Sequence, residues 1–200
     1  PPAQQPAGPP RPGANPAAPG RRASATRTTE PPASDGALDE PMWQQATPIV
    51  DFVQVEPTEG QPGTEKTQVR LLYTATTLYV GVNCFDSEPS KIVTTDSRRD
   101  SSLTGQDSFQ MIFDTYHDKQ NGFVFGTNSV GIQYDAQVRN EGETIRGGPP
   151  GGSGGGGNTS GAGAGVNVNW DGAWEVKTRT TETGWTIEFA IPLRTLRYGP

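Results

Sequence analysis

Four tryptophans are the residues best suited to contact a ligand, because a flat indole face can stack against the C–H groups of a sugar ring. Trp170 stands in a turn-like stretch next to Asp171, whose carboxylate could accept hydrogen bonds from sugar hydroxyls. Trp174 and Trp185 fall within strand-like runs, so the sequence favours a core role for both. Trp43 lies in a short helical segment, where it either packs against the body or contacts a ligand. The candidate glycan site is therefore Trp170, Asp171 and Trp43.

A second candidate site is acidic. Asp96, Asp100 and Asp107 fall in one loop-like region, and calcium takes about six to eight oxygen ligands of the kind that clustered carboxylates supply. Arg98 and Arg99 lie within the same stretch and can pair with these carboxylates instead. Two interpretations stay open, a structural calcium ion or a set of ion pairs and turn caps, and no other cofactor is indicated.

The sequence contains few candidate catalytic residues. His117 is the only histidine and Cys84 the only cysteine, so neither a histidine-based metal cluster nor a disulfide can form within the chain. Glu175 and Glu188 are predicted on neighbouring strands, where cross-strand pairing with Lys177, Arg179 or a threonine explains them without a role in glycoside hydrolysis. We therefore expect no catalytic residues and no enzyme activity.

Charge is unevenly distributed along the chain. The 200 residues carry a formal net charge of −6, yet the first 36 are net positive, with four arginines against Glu30 and Asp35. The remainder is strongly acidic, which argues against nucleic-acid binding because phosphate neutralisation needs clustered Lys and Arg. The arginines of the first segment are candidates for contacts with an acidic partner surface: Arg11, Arg21, Arg22 and Arg27.

Two segments have compositions that do not support a core. Residues 1–36 hold ten of the nineteen prolines, and residues 147–165 hold eleven glycines. Free segments of this kind bury too little surface to offset their chain entropy, so we expect them to become ordered on another protein subunit. The sequence thus predicts an extended Pro/Ala-rich arm at 1–36, and a domain at 37–200 with a Gly-rich insertion at 147–165.

Short strand-like runs make up most of the predicted domain. Their apolar and polar residues alternate with a period of two, and turn residues separate them. The predicted strands are Ile49–Val55, Gln68–Tyr73, Leu78–Phe85, Phe109–Phe113, Gly122–Thr127, Gly131–Val138, Trp174–Thr181 and Trp185–Ile191. Asp39 caps one short predicted helix that carries Trp43, and we expect this helix to plug one end of the body. Many short strands without a long helix predict an all-β, antiparallel, jelly-roll-like sandwich.

Several motifs that follow one another along the chain carry a resemblance to a known family. They include Leu38-Asp39-Glu40-Pro41-Met42-Trp43, Arg98-Arg99-Asp100, Trp170-Asp171, Gly184-Trp185-Thr186 and Ile191-Pro192-Leu193-Arg194. On these residues the chain resembles the family 9 carbohydrate-binding-module-like domain, as found at the N-terminus of a bacterial family of uncharacterised outer-membrane β-barrel proteins. The resemblance implies a β-sandwich that binds rather than catalyses. It also implies a periplasmic or outer-membrane-associated, extracytoplasmic location in a bacterium.

Two functions from different classes remain open on this sequence. In the first, the chain is a non-catalytic adaptor or extrinsic scaffold subunit of a larger, membrane-associated assembly. The sandwich then holds the arm at 1–36 and the Gly-rich insertion at 147–165, which contact the other subunits. A photosystem-associated extrinsic subunit is one such assembly. In the second, the sandwich is a glycan-binding module of an outer-membrane protein. No apolar run approaches the ~20 residues that span a bilayer, so we expect no transmembrane segment in this chain.

Overall fold

The structure, a computed structural model, describes residues 22–139 and 165–197. The strands in this part of the chain are β1 (Thr26–Arg27), β2 (Thr67–Tyr73), β3 (Thr77–Phe85), β4 (Ser108–Phe113), β5 (Gly122–Asn128), β6 (Tyr134–Val138), β7 (Val166–Asn167), β8 (Glu175–Thr181) and β9 (Gly184–Pro192). A five-residue helix, α1, spans Pro41–Gln45, and two short 3-10 helices span Pro89–Lys91 and Leu193–Leu196. Regular structure is thus almost entirely β.

The strands form two sheets. One sheet has five strands in the order β1-β2-β3-β9-β8, and the other has four in the order β4-β5-β6-β7. Neighbouring strands are antiparallel except for β1, which runs parallel to β2 at Thr26 and Arg27. The predicted antiparallel β-sandwich is confirmed.

The core lies between the two sheets and follows from the alternation along the strands. Val80 of β3 and Phe189 of β9 are cross-strand partners that point inward and are fully buried. The Phe189 ring stacks with Trp174 at 5.8 Å between ring centroids, and Phe125 of β5 meets Trp174 edge-on at 5.3 Å. Such aromatic pairs add about 0.5–1.5 kcal/mol each beyond the area they bury, so they join the two sheets.

The outer face of the five-stranded sheet is covered by α1. Leu72 and Tyr79, cross-strand partners on this face, pack with Trp43, which is wholly buried. Gly81 allows the indole to approach, because a Cβ at this position would lie only 2.8 Å from the Trp43 ring. The helix therefore lies on a sheet face and not at an end of the sandwich, which corrects the prediction of a plug.

The segment before α1 is fastened to the same outer face. The backbone amides of Asp35 and Gly36 both donate to Oε2 of Glu188, at 3.1 and 3.2 Å, and the Thr186 hydroxyl donates to the Gly36 carbonyl at 2.6 Å. Gly36 has a φ of +84°, a conformation that favours glycine. The described end of the predicted arm, residues 22–36, thus lies against the sandwich and contributes β1 to it.

One predicted strand, Ile49–Val55, is not a strand in the structure. Two of its residues form isolated bridges instead, Ile49 with Val69 of β2 and Val53 with Pro62. The apolar side chains between these bridges are largely exposed, so the alternation in this stretch does not correspond to a buried face.

Candidate functional site

Arg99 joins three other side chains in one polar network. Its Nη2 donates to Asp135 Oδ1 at 2.6 Å and to Asp171 Oδ1 at 2.7 Å, and its Nη1 donates to Gln133 Oε1 at 2.6 Å. The Asp135 side chain is fully buried, whereas that of Asp171 is 79% exposed. The guanidinium therefore reaches from the interior of the sandwich to solvent, and charge-assisted hydrogen bonds fix its orientation.

Asp135 is the internal anchor of this network. It lies on β6 opposite Phe125 of β5, in the core-facing position, and its second oxygen accepts a hydrogen bond from the Gly172 amide at 2.7 Å. Burial raises the pKa of Asp135, while the Gly172 amide and the Arg99 charge act against that rise. One buried carboxylate thus ties Arg99 and the loop before β8 to the same strand.

Trp170 lies at the start of that loop and is half-buried. Its ring centroid lies 4.8 Å from that of Phe123 and 5.9 Å from that of Phe125, so core contacts hold the indole in place. Gly172 must be a glycine here, because a Cβ would come within 2.7 Å of the indole. Trp170 is directly followed in the chain by Asp171, whose carboxylate is exposed.

A depression of about 510 Å³ opens beside the Arg99 network. Hydrogen-bond donors, acceptors and an apolar side chain line it: Ser97, Arg99, Ile132, Gln133, Glu175 and Lys177. Small-molecule sites in proteins usually occupy about 300–1,000 Å³ and combine apolar contact with a few placed polar groups. The arrangement can therefore bind a small polar ligand.

A second depression of about 450 Å³ lies between the Pro31–Ser34 segment and the five-stranded sheet. Tyr79 and Arg194 contribute to its lining, and Glu175 borders both this depression and the one beside Arg99. The two depressions are therefore neighbours, and an extended ligand could contact both.

The structure brings together only part of the predicted glycan site. Asp171 belongs to the Arg99 network through its hydrogen bond with the guanidinium, and Trp170 is the residue before it in the chain. Trp43 does not: it is fully buried on the outer face of the five-stranded sheet, so it is a core residue and has no face available to a sugar. Trp174 and Trp185 lie in the main core at 5% and 4% exposure.

Sequence reasoning missed Gln133 and Asp135, and it gave Arg99 only the role of an ion-pair partner for nearby aspartates. The alternation in the predicted strand gave no signal, because its apolar set is Ile132, Tyr134, Ala136 and Val138 and leaves Asp135 on the polar side. In the structure Asp135 faces the core instead, where a buried charge requires a partner of opposite charge. The partner is Arg99, 36 residues earlier in the chain.

The three aspartates of the predicted calcium site have separate partners. Asp96 binds the Arg98 guanidinium through both oxygens, and these contacts hold the pKa of Asp96 well below its ordinary value. Asp107 accepts the Val93 amide at 2.7 Å, and Asp100 lies 3.4 Å from Arg99 Nε. In residues 22–139 and 165–197 no group of three acidic, histidine or cysteine side chains is arranged to hold a metal ion.

The predicted partner-binding residues fall only partly within the described chain. Arg11, Arg21 and nearly all of the 147–165 insertion lie outside the described residues, whereas Arg22 and Arg27 are described and exposed. Among the described residues, none of the helices has the length and apolar character to cross a membrane.

Two packed antiparallel sheets with a polar depression at their edge define the class of β-sandwich binding domains. The sequence matches the family described as carbohydrate family 9 binding domain-like over residues 34–199. The chain belongs to this family.

Similar folds occur among solved structures. A carbohydrate binding module family 9 from Caldicellulosiruptor kristjanssonii in complex with glucose shares 14% sequence identity, over 88% of this chain and 70% of that one, with a TM-score of 0.52. A structure of a family 9 module from the same organism in complex with cellotriose shares 15% identity over 88% and 69%, with a TM-score of 0.49. At such identity the likeness concerns the fold. No curated protein matches the sequence significantly.

Proposed function

We propose that this chain is a non-catalytic carbohydrate-binding module that holds a glycan in the depression beside Arg99. The observation that supports this most is the convergence of Arg99, Gln133 and Asp171 next to the partly exposed Trp170. Because the chain belongs to the carbohydrate family 9 binding domain-like family, we interpret these residues as a sugar-binding site.

The polar side chains at the depression match the chemistry of a pyranose. Lys177 and Gln133 can donate hydrogen bonds to hydroxyl oxygens, and Glu175 can accept hydrogen bonds from hydroxyl groups. Asp171, an exposed acceptor that pairs with Arg99 of the lining, can do the same. Ile132 lines the depression only with the small part of its side chain that is exposed. Because exposed ion pairs contribute only about 0–1 kcal/mol, a sugar hydroxyl can compete with the Arg99–Asp171 pair at little cost.

The glycan-binding function is favoured over the protein-binding adaptor. The adaptor interpretation depends on the segments 1–36 and 147–165, most of which lie outside the described residues. Neither the family match nor the fold supports an extrinsic subunit of a photosystem or of another membrane complex.

We extend the proposal to an extracytoplasmic location, at the N-terminus of an outer-membrane β-barrel protein. This part rests on the sequence resemblance described above. Fractionation of the native bacterium with an antibody against residues 37–200 tests it, since recovery in the cytoplasmic fraction would contradict it.

A glycan array tests the proposed function. The full chain should bind at least one class of neutral oligosaccharide with an affinity between millimolar and micromolar. Asp171→Ala should weaken that binding by about tenfold, because one charge-assisted hydrogen bond is lost. Glu182→Ala, an exposed acid in the β8–β9 turn, is the matched control and should bind like the parent. A chain that binds no glycan at millimolar concentration would overturn the proposal.

A further inference from the structure

Two rows of cross-strand neighbours form the floor of the second depression. Tyr79, Ala190 and Glu175 are successive partners on β3, β9 and β8, and they lie on the outer face of the five-stranded sheet. Thr77 and Pro192 are partners in the next row of the same face and also line the depression. Because neighbouring strands lie about 4.8 Å apart, the first row extends for about 10 Å. The floor therefore runs across the sheet to its β8 edge.

Glu175 stands where this floor meets the depression beside Arg99. It lines both depressions. The depression beside Arg99 opens at the β8 edge, where Gln133 Nε2 donates to the carbonyl of Trp174, the residue before Glu175, at 2.6 Å. On the other side of Glu175 the floor continues with Ala190, which carries only a methyl group. A ligand that extends from the Arg99 depression past Glu175 thus reaches the second depression directly.

The segment that walls the second depression is held in place before any ligand binds. The Ala33 amide donates to Glu40 Oε1 at 2.7 Å, and the two amides that follow the wall donate to Glu188. Pro31 and Pro32 have fixed φ angles, and Pro32 is buried. A wall that is already ordered does not lose conformational entropy on binding, which favours affinity.

The lining of the second depression combines apolar surface with a few polar groups. The prolines and Ala190 offer carbon surface to the C–H groups of a sugar ring. Arg194 is exposed and has no ion pair in the described part of the chain, so its guanidinium can donate hydrogen bonds to hydroxyl oxygens. The Thr77 hydroxyl and the Glu175 carboxylate can accept hydrogen bonds from hydroxyl groups. Apolar contact with a few placed polar groups is typical of small-molecule sites.

We propose that the second depression is a further subsite of the glycan site, so that the module binds a linear oligosaccharide that lies across the β8 edge. This inference rests on the proposed function, because the depression beside Arg99 holds the first part of the oligosaccharide. The sugar chain passes Glu175, and its next units lie on Ala190 between the wall and Arg194. A monosaccharide fills only one depression, whereas a longer oligosaccharide contacts both and binds more tightly.

Calorimetric titration of the full chain with linear β-1,4-linked glucose oligomers, from the monosaccharide to the pentasaccharide, tests the proposal. If the glycan array favours another sugar, the matching series of that sugar is the probe. The parent should bind the pentasaccharide at least about tenfold more tightly than the monosaccharide, which is the effect of about one additional hydrogen bond.

Variants assign this gain to one depression. Arg194→Ala should remove the gain of about tenfold and leave the affinity for the monosaccharide unchanged. Thr77→Val keeps the branched shape of the side chain, removes the hydroxyl and should reduce the gain severalfold. Lys177→Ala should weaken the binding of every oligomer equally, because Lys177 lines the depression beside Arg99. Arg139→Ala is the matched control, since Arg139 is an exposed arginine directly after β6 and lines neither depression. Circular dichroism establishes that each variant is folded.

Equal affinity for all chain lengths would overturn the subsite and leave the proposed function intact, because one depression would then account for binding. A gain that folded Arg194→Ala and Thr77→Val both retain would also overturn it, as would a gain that Arg139→Ala removes equally. A chain that binds neither this series nor any glycan on the array contradicts the proposed function, and the subsite with it.

Discussion

The side-chain carboxylate of Glu188 lies 3.2 Å from the backbone nitrogen of Gly36 and accepts its hydrogen bond. The other oxygen, Oε1, is buried and has no hydrogen-bond partner in the described part of the protein. The pKa of Glu188 is raised to about 7, chiefly by burial. The amides of Gly36 and Asp35 act against this rise, and the carboxylates of Glu40 and Asp35 add to it. The fastening of this segment is therefore sensitive to pH.

Glu188→Gln should be more stable than the parent at high pH. Because the folded pKa of about 7 lies above the ordinary value of 4.5, the folded protein binds more protons than the unfolded chain between these values. The free energy of unfolding of the parent therefore falls as pH rises through this window, by about 3 kcal/mol at most. Glutamine keeps an acceptor oxygen and does not titrate. Thermal unfolding at about pH 5 and pH 8 measures the effect, and an equal difference in Tm at both values would contradict it.

Asp135→Asn should destabilise the fold far more than Asp171→Asn. Removing one partner of a buried pair costs about 3–5 kcal/mol, and we expect about 2–3 kcal/mol here because Arg99 is 39% exposed. Asp171 makes an exposed pair with the same arginine, so its neutralisation should cost less than about 1 kcal/mol. Urea unfolding compares the two variants, and similar losses would show that Asp135 is not the anchor.

Trp43→Ala should lower stability without altering ligand affinity. Truncation of a buried tryptophan costs about 3–5 kcal/mol, and here it empties the hollow above Gly81. Glycan titration of the folded protein at low temperature should give the affinity of the parent. Loss of sugar binding in folded Trp43→Ala would contradict the assignment of Trp43 to the core and show that it contributes to the ligand site.

Calcium should leave thermal stability unchanged. Asp96 is occupied by Arg98 and Asp107 by the Val93 amide, so the carboxylates that the sequence proposed as ligands have other partners. Unfolding in the presence of millimolar calcium or of a chelator should give the same Tm within about 1 °C. A rise of several degrees with calcium would show that ion binding rearranges this loop.

The inward face of β3 was predictable from sequence because it follows a local rule. Leu78, Val80, Val82 and Cys84 alternate along β3, and all four belong to the main core or pack against it. The same rule fails for Ile49–Val55, since apolar alternation cannot tell whether another element covers the face.

The site and the position of Trp43 depend on contacts between distant parts of the chain. The indole lies over Gly81, and the hollow there exists only once β3 is placed in its sheet. Arg99 meets Asp135 and Asp171 from 36 and 72 residues away. Sequence spacing does not predict such contacts, and the alternation around Asp135 places its carboxylate on the polar side of the predicted strand, although the structure buries it.

Calorimetric titration with the best oligosaccharide from the array tests the central claim most directly. The parent and Glu182→Ala should bind with the same affinity and a stoichiometry near one. Lys177→Ala, which alters the lining of the depression, and Asp171→Ala, which removes a partner of Arg99, should each bind about tenfold more weakly while unfolding at nearly the parent Tm. Equal affinity in all four proteins would place the glycan elsewhere on the sandwich and contradict the account.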